Sequence, residues 1–202
     1  MRGLCSTLLV SALLGGCAPD EPAIPDRVGV RWYGVDVADV GGCSTGAVAG
    51  LSAQLVAEQN CLRPGVLQSF AGTPNVTVGG GVNALLEPPA VAALQAAAMS
   101  ASEPIAINSA FRTLAQQYLL KKWEGTCGIT LAASPGSSNH ETGLAIDVAN
   151  HAAVQSALED AGWQWLGASD VVHFDFKGAG TIDLRADSVL GFQRLWNRNH
   201  PQ

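Results

Sequence analysis

Ser138-Asn139-His140-Glu141-Thr142-Gly143-Leu144-Ala145-Ile146-Asp147 is the stretch from which the rest of the chain can be read. It places His140 and Asp147 seven residues apart with a glycine between them. That spacing suits a turn at Gly143 followed by a strand. Over 144–148 the pattern predicts Leu144, Ile146 and Val148 on one face, with Ala145 and Asp147 on the other. A carboxylate among such apolar neighbours is costly unless it is paired or metal-bound.

A second group follows in Asp170-Val171-Val172-His173-Phe174-Asp175-Phe176. Alternation on a strand sets His173 and Asp175 on one face and Val172, Phe174 and Phe176 on the other. Two histidines and one carboxylate are donors that zinc accepts, and a catalytic zinc keeps three protein ligands plus water. His140, Asp147 and His173 are therefore the candidate ligands. Asp170, at the start of the strand, is the candidate general base for a water made acidic by the metal. Asp175 is placed to orient a ligand histidine through its free ring N–H.

The remaining composition is compatible with housing such a site. At 202 residues the chain suits one catalytic domain with short appendages. It is 48% apolar and 14% charged, which argues against long disorder. A net charge of −6 without a basic patch excludes a dominant nucleic-acid role. Residues 1–17 read as an export signal: Arg2 precedes the apolar run Leu8 to Leu14, which is too short to span a bilayer. Leu14-Gly15-Gly16-Cys17 is similar to a bacterial lipobox, which implies a lipid on Cys17, a membrane anchor and a cell-envelope or periplasmic location. In that disulfide-permissive compartment, Cys43, Cys61 and Cys127 remain once Cys5 and Cys17 are set aside, and Cys43–Cys61 is the favoured pair.

Along the chain, 18–27 is a proline-rich tether and 28–79 an N-terminal subregion, with a strand over 28–37 and a helix over 45–59. The region 80–180 holds the site. Pro88-Pro89 opens a helix to about residue 100, and strands are predicted at 105–111, 127–133, 144–148 and 171–176. Helices are predicted over 112–123 and 152–161. Short strands interrupted by helices give an α+β class with a small, largely antiparallel sheet. The tail, 181–202, reads as helical; its part from Ser188 to Asn199 is similar to the first helix of small peptidoglycan-binding repeats and is expected to pack on the domain.

Ser138-x-His140-x-x-Gly143-x-Ala145-x-Asp147 followed by Asp170-x-x-His173 resembles the signature of the D-alanyl-D-alanine carboxypeptidase family of zinc peptidases, with its VanY and VanX types and L-alanyl-D-glutamate endolysins. Pro135-Gly136 fits it too, and Ser109-Ala110-Phe111-Arg112-Thr113-x-x-Gln116 is similar to the family's Ser-Gly-Tyr-Arg-Ser segment. The resemblance implies a hedgehog/DD-peptidase-like fold and Zn2+ on His140, Asp147 and His173. It makes Asp170 the catalytic base, and Arg112 a catalytic and substrate-binding group for a carboxylate or scissile carbonyl, with Gln116 and Ser138 assisting binding. The implied substrates are peptidoglycan stem peptides, cut as a D-Ala-D-Ala carboxypeptidase or alternatively as an endopeptidase. A zinc-containing, non-catalytic wall-binding module is the reading from another class, and a monomer is expected. Asp170 where many relatives carry Glu resembles the endolysin branch; Val172 where they carry Trp and Ala110 for glycine are further departures.

Overall fold

Short apolar runs separated by glycine and proline give seven short strands and five α-helices among the described residues of this computed structural model, 37–200. The expected export signal, Cys17, the tether and nearly all of the 28–37 strand lie outside the described residues. A 3-10 turn at Thr45–Val48, capped by Ser44, leads into α1 (Ala49–Leu62). β1 (Gln68–Ser69) pairs with β3 (Leu85–Leu86) in a two-stranded ribbon, and between them runs β2 (Val76–Val78). Then come α2 (Pro88–Ser100), opened by proline in its first turn, β4 (Ile105–Ser109) and α3 (Leu114–Lys122). After the motif follow β5 (Ala145–Val148), α4 (His151–Asp160), β6 (Trp163–Trp165), β7 (His173–Phe176) and α5 (Arg185–Asn199).

The main sheet runs β2-β4-β5-β7-β6, parallel only between β2 and β4. This is the α+β class read from the sequence. β2, from the N-terminal subregion, is part of the same sheet. Ile107, Ile146, Val148 and Phe174 point from it into a core shared with Leu94 of α2 and Leu158 of α4, all fully or almost fully buried. Each such side chain contributes roughly 1.5–3 kcal/mol by leaving water. A second core joins Leu55 of α1, Leu119 and Trp123 around α3, and Leu195 of α5. The segment Arg185–Asn199 is thus a helix packed against α1 and α3. No helix among the described residues is long and apolar enough to cross a membrane.

Two expectations are corrected. Residues 127–133 are loop, not strand: Cys127 sits at φ 53° between positive-φ glycines 125 and 128. Side chains near the end of α3 satisfy this backbone instead, Gln117 Nε2 donating to Ala133 O (2.8 Å) and Lys121 Nζ to Ala132 O (3.1 Å). The second correction is the disulfide, which joins Cys43 to Cys127 rather than to Cys61, across 84 positions with Cα atoms 5.4 Å apart. It ties the loop after α3 to the segment before α1, a long-range proximity that cysteine spacing does not encode. The strand β6 had no separate prediction; Trp163 and Trp165 pair there with Phe176 and Phe174 of β7.

Candidate metal centre

The sheet register and one short turn assemble the site. Asp147 on β5 is the direct cross-strand neighbour of His173 on β7, and on its other side lies opposite Ser109 of β4 past a register shift. Side chains directly opposite one another share a face with Cβ atoms about 5 Å apart. His140 comes from a 3-10 turn, Asn139–Thr142, ending on Gly143 in the left-handed conformation (φ 74°). Ser138 caps this turn, its Oγ accepting from His140 N (3.3 Å), while Glu141 reaches back to accept from Ser138 N (3.0 Å) and Gly136 N (2.9 Å). That reciprocal pair satisfies donors the turn leaves unpaired.

Three acceptor atoms converge. His140 Nε2 lies 3.2 Å from Asp147 Oδ1 and 3.2 Å from His173 Nδ1, and His173 Nδ1 lies 3.1 Å from Asp147 Oδ1. A tetrahedral zinc with bonds of about 2.0–2.1 Å has ligand-to-ligand edges of about 3.4 Å. The far ring nitrogens fix the tautomers. His140 Nδ1 is 2.8 Å from Ala110 O, which can only accept, so Nδ1 carries the proton and Nε2 the lone pair. His173 Nε2 donates to Asp175 Oδ1 at 3.0 Å, which turns Nδ1 toward Asp147. Three lone pairs facing one point demand a cation there, either a proton or a metal. No other cluster of three histidine, cysteine or carboxylate side chains with converging donor atoms occurs among the described residues.

The charges respond accordingly. Burial alone would push the Asp147 carboxyl up, but His140, His173 and Arg112 outweigh it and hold it well below the usual range. Burial lowers His140, with Arg112 adding to the effect. For His173 burial acts downward, yet hydrogen bonds to Asp147 and Asp175 raise it to about 9. Asp175, despite burial, is lowered to about 2 by His173 and Lys177. A proton on His173 occupies the position where a metal would sit, so metal and proton compete.

The other predicted residues divide. Arg112 flanks the triad, Nη2 donating to Asp147 Oδ2 (2.5 Å) and Nε to Ser109 Oγ (2.7 Å). Asp170 is exposed, just after the Gly167–Ser169 turn, where its carbonyl accepts from His173 N (3.2 Å) and its charge reaches Arg112. Gln116 sits in the first turn of α3. It is the third residue of the α3 capping box, buried, its Oε1 accepting from Thr113 N (3.1 Å) and Asn83 Nδ2 (2.7 Å) and its Nε2 donating to Gly81 O (3.4 Å). Ser138, also buried, caps the His140 turn. Glu141 and Asn139 went unassigned. Ser138-x-x-Glu141 is itself a capping-box pattern and would have identified Glu141. Nothing local pointed to Asn139, which donates to both oxygens of Asp175 at 3.0 Å. A cavity of about 300 Å³ is lined by Asn139 and Asp175, and a larger apolar groove of about 480 Å³ lies elsewhere; neither is lined by any of the three candidate ligands.

Residues 87–177 match the family described as VanY: D-alanyl-D-alanine carboxypeptidase. That span includes Arg112, the 138–147 stretch and Asp170 to Asp175. Among solved structures the chain is similar to the Serratia marcescens L-Ala D-Glu endopeptidase ChiX, at 19% identity and a TM-score of 0.35, covering 46% of this chain and 80% of that one. A likeness at that level carries no argument about activity. No curated protein matches the chain.

Proposed function

We propose, from the place of residues 87–177 in the VanY D-alanyl-D-alanine carboxypeptidase family, that this chain is a zinc-dependent peptidase acting on peptidoglycan stem peptides, with removal of a terminal D-Ala from D-Ala-D-Ala ends as its reaction. The family match supports the coarser reading, a peptidase of the cell wall. The observation that carries the finer one is the convergence of three lone pairs on His140, Asp147 and His173, with both imidazole tautomers fixed from behind. These three residues would hold the zinc, which supplies Lewis acidity and brings a water's pKa to about 7.

The chain's own groups do the rest. The Asp170 carboxylate takes the proton of the attacking water and returns it to the leaving amine, a task open to an exposed carboxylate whose charge reaches Arg112 beside the triad. Arg112 uses Nε and Nη2 on Ser109 and Asp147, which leaves Nη1 to donate to the substrate's carboxylate or scissile carbonyl. An export signal over 1–17 and a lipid on Cys17 would place the enzyme at the cell envelope, beside that substrate.

Asp170 rather than Glu favours one rival, cleavage within the stem by an endopeptidase. Zinc-loaded protein incubated with a pentapeptide stem, and separately with crosslinked muropeptides or an L-Ala-D-Glu bond, distinguishes the two by the products released. Free D-Ala is the expected product. If neither substrate is cut, the enzymatic reading fails.

A further inference from the structure

We infer that Asn139 is a positioning residue for the metal centre, acting through Asp175 to fix how His173 presents its donor atom. The inference rests on the metal reading above. Asn139 Nδ2 donates to both Asp175 oxygens at 3.0 Å, and Asp175 Oδ1 accepts the His173 Nε2 proton at 3.0 Å. Lys177 Nζ adds a contact to Oδ2 at 3.1 Å, but its side chain is 58% exposed and holds little in place. A carboxylate gripped by a single imidazole is free to rotate about its own Cβ–Cγ bond. An amide N–H₂ bridging its two oxygens fixes the plane, and with it the orientation of the imidazole.

Position in the chain adds a second consequence. Asn139 immediately precedes His140, so one side chain joins the 3-10 turn carrying the first histidine to β7 carrying the second. β7 pairs only with β5 and β6 in the sheet, and Asn139 cross-links it to the turn through Asp175. The residue must be a donor: an aspartate of the same shape would set a carboxylate against a carboxylate. Outer partners of this kind are worth about 10- to 100-fold in metal affinity.

Zinc affinity measured by chelator competition tests this, with the melting temperature of each metal-free protein as the check on folding. Wild type is expected to bind one zinc, Asp175→Asn about 10- to 100-fold more weakly, and Asn139→Ala about tenfold more weakly. The Asn139→Ala/Asp175→Asn double variant should bind no more weakly than Asp175→Asn alone, because Asn139 works through that carboxylate. Asn139→Asp is isosteric, keeps the question answerable should alanine not fold, and is expected to be at least as weak as alanine. In ¹H NMR of the zinc-loaded protein the His173 ring N–H should exchange faster in Asn139→Ala than in wild type. Lys177→Met should stay within about threefold of wild type. Zinc binding by wild type with Asn139→Ala and Asn139→Asp equal to it overturns the inference. So do additive losses in the double variant, or a Lys177→Met loss as large as that of Asn139→Ala. A wild-type protein that binds no zinc would instead remove the metal reading itself.

Discussion

Zinc binding should displace about one proton from His173 at pH 7.5, beyond what is released by the bound water whose pKa the metal brings to about 7. In the metal-free protein His173 titrates at about 9 in place of 6.5, because Asp147 and Asp175 hold its protonated form despite burial. His140 is held neutral by burial and Asp147 ionised by its cationic neighbours, so neither has a proton to give. With a titration point near 9, about 97% of His173 is protonated at pH 7.5, and a metal at Nδ1 must expel that proton. Through His173 alone apparent affinity should then rise about 50-fold between pH 7 and pH 9, roughly 2 kcal/mol at 1.36 kcal/mol per unit, with ionisation of the bound water adding to the slope. Calorimetry in buffers of different ionisation enthalpy counts the protons, and chelator competition across pH gives the slope. The same shift has a sign for stability. A histidine raised on folding stabilises fully below its unfolded value of 6.5 and loses that contribution as pH climbs through about 9. Metal-free protein should therefore lose about 2 kcal/mol from pH 7 to 9.5, while protein saturated with zinc should not. Glu87, raised to about 7 by burial, changes its contribution below that window. Proton release near zero at pH 7.5, or an affinity flat from pH 7 to 9, would refute the assignment of Nδ1 as the donor.

Gly143→Ala should destabilise by about 2–4 kcal/mol, since it combines a left-handed backbone with overpacking. The new Cβ would lie 2.8 Å from Leu67 Cδ2 and 3.3 Å from Glu87 N, and that amide is held by its bond to Gly143 O (3.0 Å). Thermal unfolding measures it, and a loss below 1 kcal/mol would show that the turn relaxes freely. Cys127→Ser should cost about 4–5 kcal/mol under oxidising conditions by releasing an 84-position crosslink, and should change nothing under reducing ones. Asp170→Asn should lower kcat by about 10²- to 10⁴-fold with zinc affinity unchanged; an equal loss of zinc would reassign Asp170 to the metal site.

Features set by local pattern were the ones legible in the sequence. Alternation around Asp147 and His173 gave the correct faces of β5 and β7, because both strands present one side to a single apolar core. Pro88-Pro89 fixed the start of α2. Partners chosen over long distances were not legible. Cys43 has two candidate mates in the sequence, and only the fold brings Cys127 within reach. Residues 127–133 have strand-like composition, but α3 offers them side-chain hydrogen bonds and no sheet edge does. Gln116 and Ser138 have a role that the motif did not display: they cap the α3 helix and the His140 turn.

The division of labour at Asp147 then explains why the clamp and the ligands must come from separate elements. Its Oδ1 faces both histidine donors, while its Oδ2 is taken by Arg112, itself braced by Ser109 on β4. With Oδ2 so engaged, the carboxylate can offer a metal only one oxygen, and the donor set stays at three. Three protein ligands rather than four distinguish a catalytic zinc from a structural one, because the remaining position must stay open. A guanidinium suits this role since it cannot lose its charge and its fork reaches two acceptors at once. Removing it by Arg112→Ala would free Oδ2 for a second bond, so the same substitution that weakens substrate binding should tighten zinc. An ammonium in its place, Arg112→Lys, keeps the charge but not the fork, and should fall between the two in both measurements. If zinc affinity dropped in parallel with activity in both variants, Arg112 would be a support for the ligand rather than a guard on its second oxygen.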